Sequence, residues 1–160
     1  MGDRKLLRIY LNDHLAGSVA GTALARRALA NNRGTPLGDV LERVAREIAE
    51  DKDALTKAMG SLGIPQSSIK QSAAALAERV GRLKLNGQLT GYSPLSRLVE
   101  LESLSIGIAG KHALWRSLKE TGALGADPPV DLDALIERAE RQRADLEPHR
   151  IEAARVALEP

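Results

Sequence analysis

The stretch LANNRGTPL, residues 29–37, ends one helical pattern and begins the next. Asn31-Asn32-Arg33-Gly34 is typical of the C-terminal stop of a helix. Thr35-Pro36 then supplies an N-cap followed by proline at the first helical position, where its missing N–H costs nothing. This short connection predicts two antiparallel helices, the first over Asp3–Asn31 and the second from Thr35 to Leu62.

The same combination of N-cap and proline recurs at Ser93-Pro94 and predicts a helix that reaches Glu120. A last helix follows the N-cap Asp131 and extends almost to the C-terminus, with a kink expected at Pro148 because proline lacks an N–H. A helix over Gln66–Leu85 is long enough to link opposite ends of the two hairpins. No alternation typical of strands is found.

These patterns predict an all-α fold in one domain, residues 1–160: a four-helix bundle of two antiparallel hairpins with an additional crossover helix. Hydrophobic residues make up 43% of the chain without any phenylalanine, so the core must consist of Leu, Ala, Val and Ile. The net charge of +2, with both signs interspersed, argues against a nucleic-acid partner. No signal-peptide pattern and no membrane-spanning apolar run is found, which predicts a cytoplasmic protein without membrane contact.

The polar residues of interest face inward in a helical-wheel projection. The only three histidines, His14, His112 and His149, all fall on inward faces. Asp51 lies near the centre of the apolar stripe of the second helix, with Glu47 at its margin, and a buried carboxylate is costly unless it is paired or bound to a metal. His14 and Asp51 are equally far from the first turn, so equal helical rise predicts contact between them.

Two interpretations of these inward residues stand side by side. Helix directions place His112 near the level of Asp51, and Glu102 nearer to His149. The residues then serve either as satisfied buried hydrogen bonds that fix helix register or as ligands of Fe, Mn or Zn, although no cofactor is required by the sequence. The candidate metal ligands are His14, Glu47, Asp51, Glu102, His112 and His149.

Two local stretches, Glu47–Leu55 followed by Leu62-Gly63, and Ala139–Ala154, carry a resemblance to a known family. With the helix order, which covers nearly the whole chain, they resemble the ferritin-like superfamily and are most similar to small bacterial proteins of this fold without an established role. Metal-active members supply a Glu from each of two helices and Glu-x-x-His from each of the other two.

This chain departs from that pattern. His14 stands where a Glu would be expected, and Glu102 is followed three residues later by Ser105 rather than by His. The resemblance therefore implies the fold without a di-iron centre.

Four glycines lie inside predicted helices, Gly17 and Gly21 in the first and Gly107 and Gly110 in the fourth. They either open a pocket for a small ligand or allow close backbone approach between these helices or across a dimer, which is the commoner use. The sequence thus predicts a non-catalytic or interaction module that forms a homodimer. The alternatives are a metal-binding protein that uses His14 with Asp51 and His112, and a small-ligand pocket; whether the chain is an enzyme stays open.

Overall fold

Each predicted N-cap begins a helix in the computed structural model, which describes residues 4–66 and 91–159. The side-chain oxygens of Thr35, Ser93 and Asp131 each accept a backbone N–H from three residues further on, at 3.0 Å. Each bond satisfies one of the orphan donors in a first helical turn. The sequence-based starting points of three helices are therefore confirmed.

The helices are α1 (Arg4–Asn32), α2 (Pro36–Ser61), α3 (Pro94–Thr121) and α4 (Leu132–Leu158). The described part of the chain is entirely helix, turn and connection, without a strand. Pro148 lies inside α4, which continues through it. The predicted crossover helix over Gln66–Leu85 lies outside the described residues, apart from Gln66 itself.

The turn between α1 and α2 depends on two glycines. Gly34 has φ +75°, a conformation that residues with a Cβ rarely adopt. Gly38 lies under the Asn32 carbonyl, which leaves no room for a Cβ. The short connection between the hairpin helices therefore requires glycine at both places.

Helix directions follow from the residues that share the interior. One apolar cluster joins Leu24 of α1 with Leu101 of α3, and a second joins Leu11 with Trp115, so α1 and α3 are antiparallel. The α1/α2 and α3/α4 pairs are antiparallel hairpins. Arg138 bonds to Asp51, and Asp145 bonds to Arg43. Residue numbers thus rise along α4 as they fall along α2, so these two helices are antiparallel too. Within the described chain α2 and α3 run parallel and lie diagonally across the bundle.

The two apolar clusters lie at different heights along the bundle. On α2, Ile48 belongs to one cluster and Leu55 to the other, with buried Asp51 between them. On α3, Ile108 and Trp115 are divided in the same way. A polar layer therefore separates two apolar halves of the core. None of the four described helices has an apolar stretch able to cross a membrane.

Candidate ligand-binding site

A buried polar layer crosses the bundle at the level of Asp51. The carboxylate of Asp51, whose residue is 1% exposed, accepts hydrogen bonds from Lys111 Nζ at 2.5 Å and from Arg138 at 3.0 Å. Lys111 also donates to Gln142 Oε1 at 2.6 Å. Two cations from α3 and α4 thus face one carboxylate from α2, which offsets the unfavourable burial of its charge.

The layer continues along the contact between α2 and α4. Glu47 accepts a hydrogen bond from Gln142 Nε2 at 3.0 Å and another from Arg141 at 3.2 Å. One turn nearer the start of α2, Arg43 pairs with Asp145 at 2.8 Å. We call this row of side-chain bonds, from Asp51–Arg138 through Glu47 to Arg43–Asp145, the α2–α4 seam. The two helices are joined there by polar bonds.

Burial in this layer affects the protonation of Lys111. Burial lowers the pKa of its ammonium group, and the adjacent Asp51 carboxylate opposes that shift. An ammonium has three N–H donors. Asp51 and Gln142 accept two of them, and within the described chain no acceptor is present for the third.

A cavity of about 570 Å³ lies beside this layer, between α1, α2 and α3. Asp51 and Lys111 form part of its wall, and most of the remaining wall is apolar. Gly17, Ile106 and Gly107 also line it and are exposed, so the cavity opens to solvent between α1 and α3. Its volume is within the range of roughly 300–1,000 Å³ typical of small-molecule sites.

Gly17, Gly21, Gly107 and Gly110, the four glycines singled out in the sequence, all line this cavity. Among the described residues, a Cβ added at any of them would meet no atom within 4 Å. The predicted close backbone approach between α1 and α3 at these glycines is therefore wrong, because the helices leave open space there. Contact across a dimer, the other part of that interpretation, stays a prediction.

Trp115, the only tryptophan of the chain, forms part of the cavity wall. The residue is 1% exposed, and its indole N–H has no hydrogen-bond partner in the described structure. Buried tryptophan N–H groups usually have an acceptor. The indole N–H is therefore a fully buried donor whose bonding capacity the described chain does not use.

His14 lines the same cavity as Asp51, but the predicted contact between them is not formed. Its ring lies edge-to-face against Tyr10, with 4.6 Å between centroids, and neither nitrogen makes a hydrogen bond within the described chain. Burial lowers the pKa of His14, against an opposing effect of Asp13. Lys111, rather than His14, bonds the carboxylate of Asp51.

His112 and Glu102 lie where α3 and α4 meet solvent, which corrects their predicted inward position. His112 Nε2 is 3.0 Å from Glu140 Oε1, and the 45%-exposed side chain of Glu102 pairs with Arg150 at 3.6 Å. His149, on α4, is half-buried. The buried residues of α3 include Leu101, Leu104, Ile108 and Trp115.

The six candidate metal ligands are therefore dispersed. Glu47 and Asp51 belong to the polar layer, where amide or cationic side chains bond their carboxylates. His14 lies on the cavity wall, and the others lie on α3 and α4. Among the described residues, no three His, Asp or Glu side chains form a group suited to a metal ion.

A second buried carboxylate, Glu100 on α3, lies nearer the other end of the bundle and is 0% exposed. Arg27 Nε is 2.7 Å from its Oε1, yet neither carboxylate oxygen accepts a well-aligned hydrogen bond among the described residues. Burial raises the pKa of Glu100, and burial also raises the pKa of nearby Tyr92 to about 12. This group was not predicted from the sequence.

Helical spacing contained a signal for the residues that the sequence reasoning missed. Lys111 is three residues after Ile108 and four before Trp115, so it shares their buried face. Glu100 precedes Leu104 by four residues and shares that face as well. Arg138, on α4, shows the same spacing, since it is three residues after the buried Leu135 and four before the buried Gln142.

Comparison with known proteins adds no relative. No protein-family model matches the chain, and no curated protein and no solved structure matches it. The geometry of the polar layer and of the adjoining cavity is therefore what bears on function.

Proposed function

We propose that this chain is a non-catalytic helical bundle that binds a small, largely apolar molecule in the cavity between α1, α2 and α3. The observation that carries the proposal is the open space at Gly17, Gly21, Gly107 and Gly110. A glycine inside a helix costs about 1 kcal/mol relative to alanine. Four such glycines around one cavity favour a role for its open volume, which we take to be holding a ligand.

The ionised groups beside the cavity also favour binding over proton transfer. Asp51 is bonded to both Lys111 and Arg138, and Glu47 is bonded to Gln142 and Arg141. Side chains bonded to one another in this way are held in one orientation. The polar layer is then a fixed part of the wall of an otherwise largely apolar cavity.

Membership of the ferritin-like superfamily, without a di-iron centre, belongs to the same proposal. The order and directions of the helices support it, since two antiparallel hairpins are placed so that α2 and α3 are parallel. A homodimer, a cytoplasmic location and the absence of nucleic-acid partners stay predictions. The metal-binding alternative would require Asp51 to exchange its bonds to Lys111 and Arg138 for a metal.

Binding can be tested with 2-ethylnaphthalene as an apolar probe. Because Trp115 is the only tryptophan and lines the cavity, its indole N–H gives a single resonance in a nitrogen-15 spectrum that reports occupancy. We expect this resonance to shift saturably with the probe. Calorimetry on the full chain should show one probe molecule bound per chain.

Filling the cavity provides the control. Gly21→Leu and Gly107→Leu place a side chain in the open volume and should abolish binding, whereas Gly60→Leu, at an exposed position of α2 outside the cavity, should preserve it. An unshifted indole resonance at saturating probe would refute the proposal. Equal loss of binding in all three variants would refute it too.

A further inference from the structure

We infer that the ligand of this cavity carries a carboxylate that pairs with the ammonium of Lys52, while its apolar remainder lies against the apolar part of the wall. This inference rests on the proposed function, because it assigns a ligand class to the same cavity.

Lys52 is a cation of the cavity wall whose charge the described chain does not pair. It directly follows Asp51 on α2, lines the cavity and is half-buried. Among the described residues its ammonium has no hydrogen-bond or ion-pair partner, and the nitrogen is accessible to solvent. The flexible four-carbon stem of a lysine lets the ammonium turn towards an anion. A ligand in the cavity can therefore reach this nitrogen.

The buried carboxylate of the wall, Asp51, does not oppose an anionic ligand. Lys111 and Arg138 both bond to it, so two cations face this one negative charge. Opposite charges at hydrogen-bond distance largely cancel its field in the cavity. His14 adds no charge at neutral pH, because burial lowers its pKa from the ordinary value of 6.5.

Asp13 is the other carboxylate of the wall, and it repels an anion only weakly. It is exposed, whereas Lys52 is half-buried. Water and salt screen an exposed charge more than one that is partly shielded from solvent. The attraction of a bound carboxylate to Lys52 should therefore exceed its repulsion by Asp13.

The charges around the cavity also favour an anion. The wall and the ion pairs of the polar layer contain one cation more than they contain carboxylates: the cations are Lys52, Lys111, Arg46, Arg138 and Arg141, and the carboxylates are Asp13, Glu47, Glu50 and Asp51. Arg46 and Glu50 are exposed and cancel each other, so the difference is the same without them. A carboxylate ligand balances these charges, and a cationic ligand would add to the excess.

The apolar wall determines the character of the rest of the ligand. Leu24, Leu55 and Ile108 line the cavity and are buried. Transfer of apolar surface from water to such a wall is favourable, which suits a hydrocarbon or aromatic body. The ligand class is therefore an apolar molecule with one carboxylate.

Three naphthalene probes of similar size separate the possibilities: 2-naphthoate is an anion, 2-naphthamide is its neutral counterpart, and 2-naphthylmethylammonium is a cation. Calorimetry on the full chain should show that 2-naphthoate binds about fivefold more tightly than the amide, which is the scale of one partly exposed ion pair. This preference should shrink as the salt concentration rises. The cation should bind more weakly than the amide.

Variants locate the partner of the carboxylate. Lys52→Met should abolish the preference for 2-naphthoate and retain the affinity for the amide, whereas Lys52→Arg, which keeps the charge, should retain the preference. Lys57→Met is the matched control, because Lys57 is an exposed lysine of α2 that does not line the cavity. It should leave the preference unchanged. If Lys52→Met fails to fold, the comparison of probes on the unaltered protein and on Lys52→Arg decides.

The outcomes distinguish this inference from the proposed function. If 2-ethylnaphthalene binds but 2-naphthoate and 2-naphthamide have equal affinities, the inference is overturned and the cavity stays a binding site. Tighter binding of the cation than of the amide would overturn the inference and indicate Asp13 as the partner. A preference for 2-naphthoate that survives in Lys52→Met would overturn the assignment to Lys52. Failure of all four compounds to bind would overturn the proposed function and the inference with it.

Discussion

Lys111 Nζ on α3 donates a 2.5 Å hydrogen bond to Oδ2 of the buried Asp51 on α2, across the diagonal of the bundle. The described α2 and α3 do not pack directly against each other, since each is adjacent to α1 and α4. The bond therefore connects two helices whose relative height is otherwise set only through their neighbours. Buried polar pairs can fix helix register in this way.

Removal of the Lys111 ammonium should destabilise the fold. Lys111→Met leaves Asp51 buried with Arg138 as its remaining cationic partner, and we expect the free energy of unfolding to fall by about 3 kcal/mol, as for a broken buried pair. Urea denaturation measures it. Lys57→Met, at an exposed position of α2, should change stability by less than about 0.5 kcal/mol. Similar losses in both variants would show that Asp51 does not depend on Lys111.

His14→Ala should have a smaller effect. Sequence reasoning pairs His14 with Asp51 and expects a loss of order 3 kcal/mol. In the structure His14 contacts the Tyr10 ring instead, so the expected loss is about 1 kcal/mol. The same urea titration compares the variants. A loss of stability as large as that of Lys111→Met would support a contact between His14 and Asp51.

Alanine should be tolerated at the cavity glycines and rejected at the first turn. Gly21→Ala places its Cβ in open space and improves helix propensity, so the free energy of unfolding should rise by about 0.5–1 kcal/mol. Gly38→Ala should lower it, because the Asn32 carbonyl occupies the position of the Cβ. Thermal unfolding measures both. Destabilisation by Gly21→Ala would indicate close approach of α1 and α3.

Glu100 should make stability depend on pH. Burial raises its folded-state pKa above the ordinary value of 4.5, so its contribution to stability is complete below pH 4.5 and is lost as the pH rises through the folded-state pKa. Glu100→Gln should therefore be more stable than the unaltered protein at pH 7, with a difference that shrinks towards pH 4.5. Urea denaturation across this range measures the difference.

The neighbouring Glu102→Gln is the matched control, since it makes the same substitution at a half-exposed side chain of α3. If Glu100→Gln were less stable than the unaltered protein at pH 7, the ion pair with Arg27 would outweigh the cost of burial.

Local signals predicted the helix starts, because a cap is decided by a few adjacent residues. Thr35, Ser93 and Asp131 each form the predicted bond. The height of residues along the bundle was also predictable for α3, since helical rise is constant. The sequence placed His112 near the level of Asp51, and its neighbour Lys111 bonds to Asp51.

The partners were harder to predict. The residue that reaches Asp51 is decided by rotation of α3 about its axis, and a small rotation exchanges His112 for Lys111. Treating lysine as a surface residue also hid the pattern it shares with Ile108 and Trp115. The open volume at Gly21 and Gly107 depends on the distance between two helices, which no spacing within one helix encodes.

Local separation of α2 from α4 would break the bonds of the α2–α4 seam and return charged side chains such as Arg43 and Asp145 to solvent. The contact between α2 and α4 is smaller than that between α3 and α4, so separation along the seam should expose less apolar surface than separation of α3 from α4. Amide exchange that follows such local opening should therefore depend less on low urea concentrations, because denaturant sensitivity follows newly exposed surface.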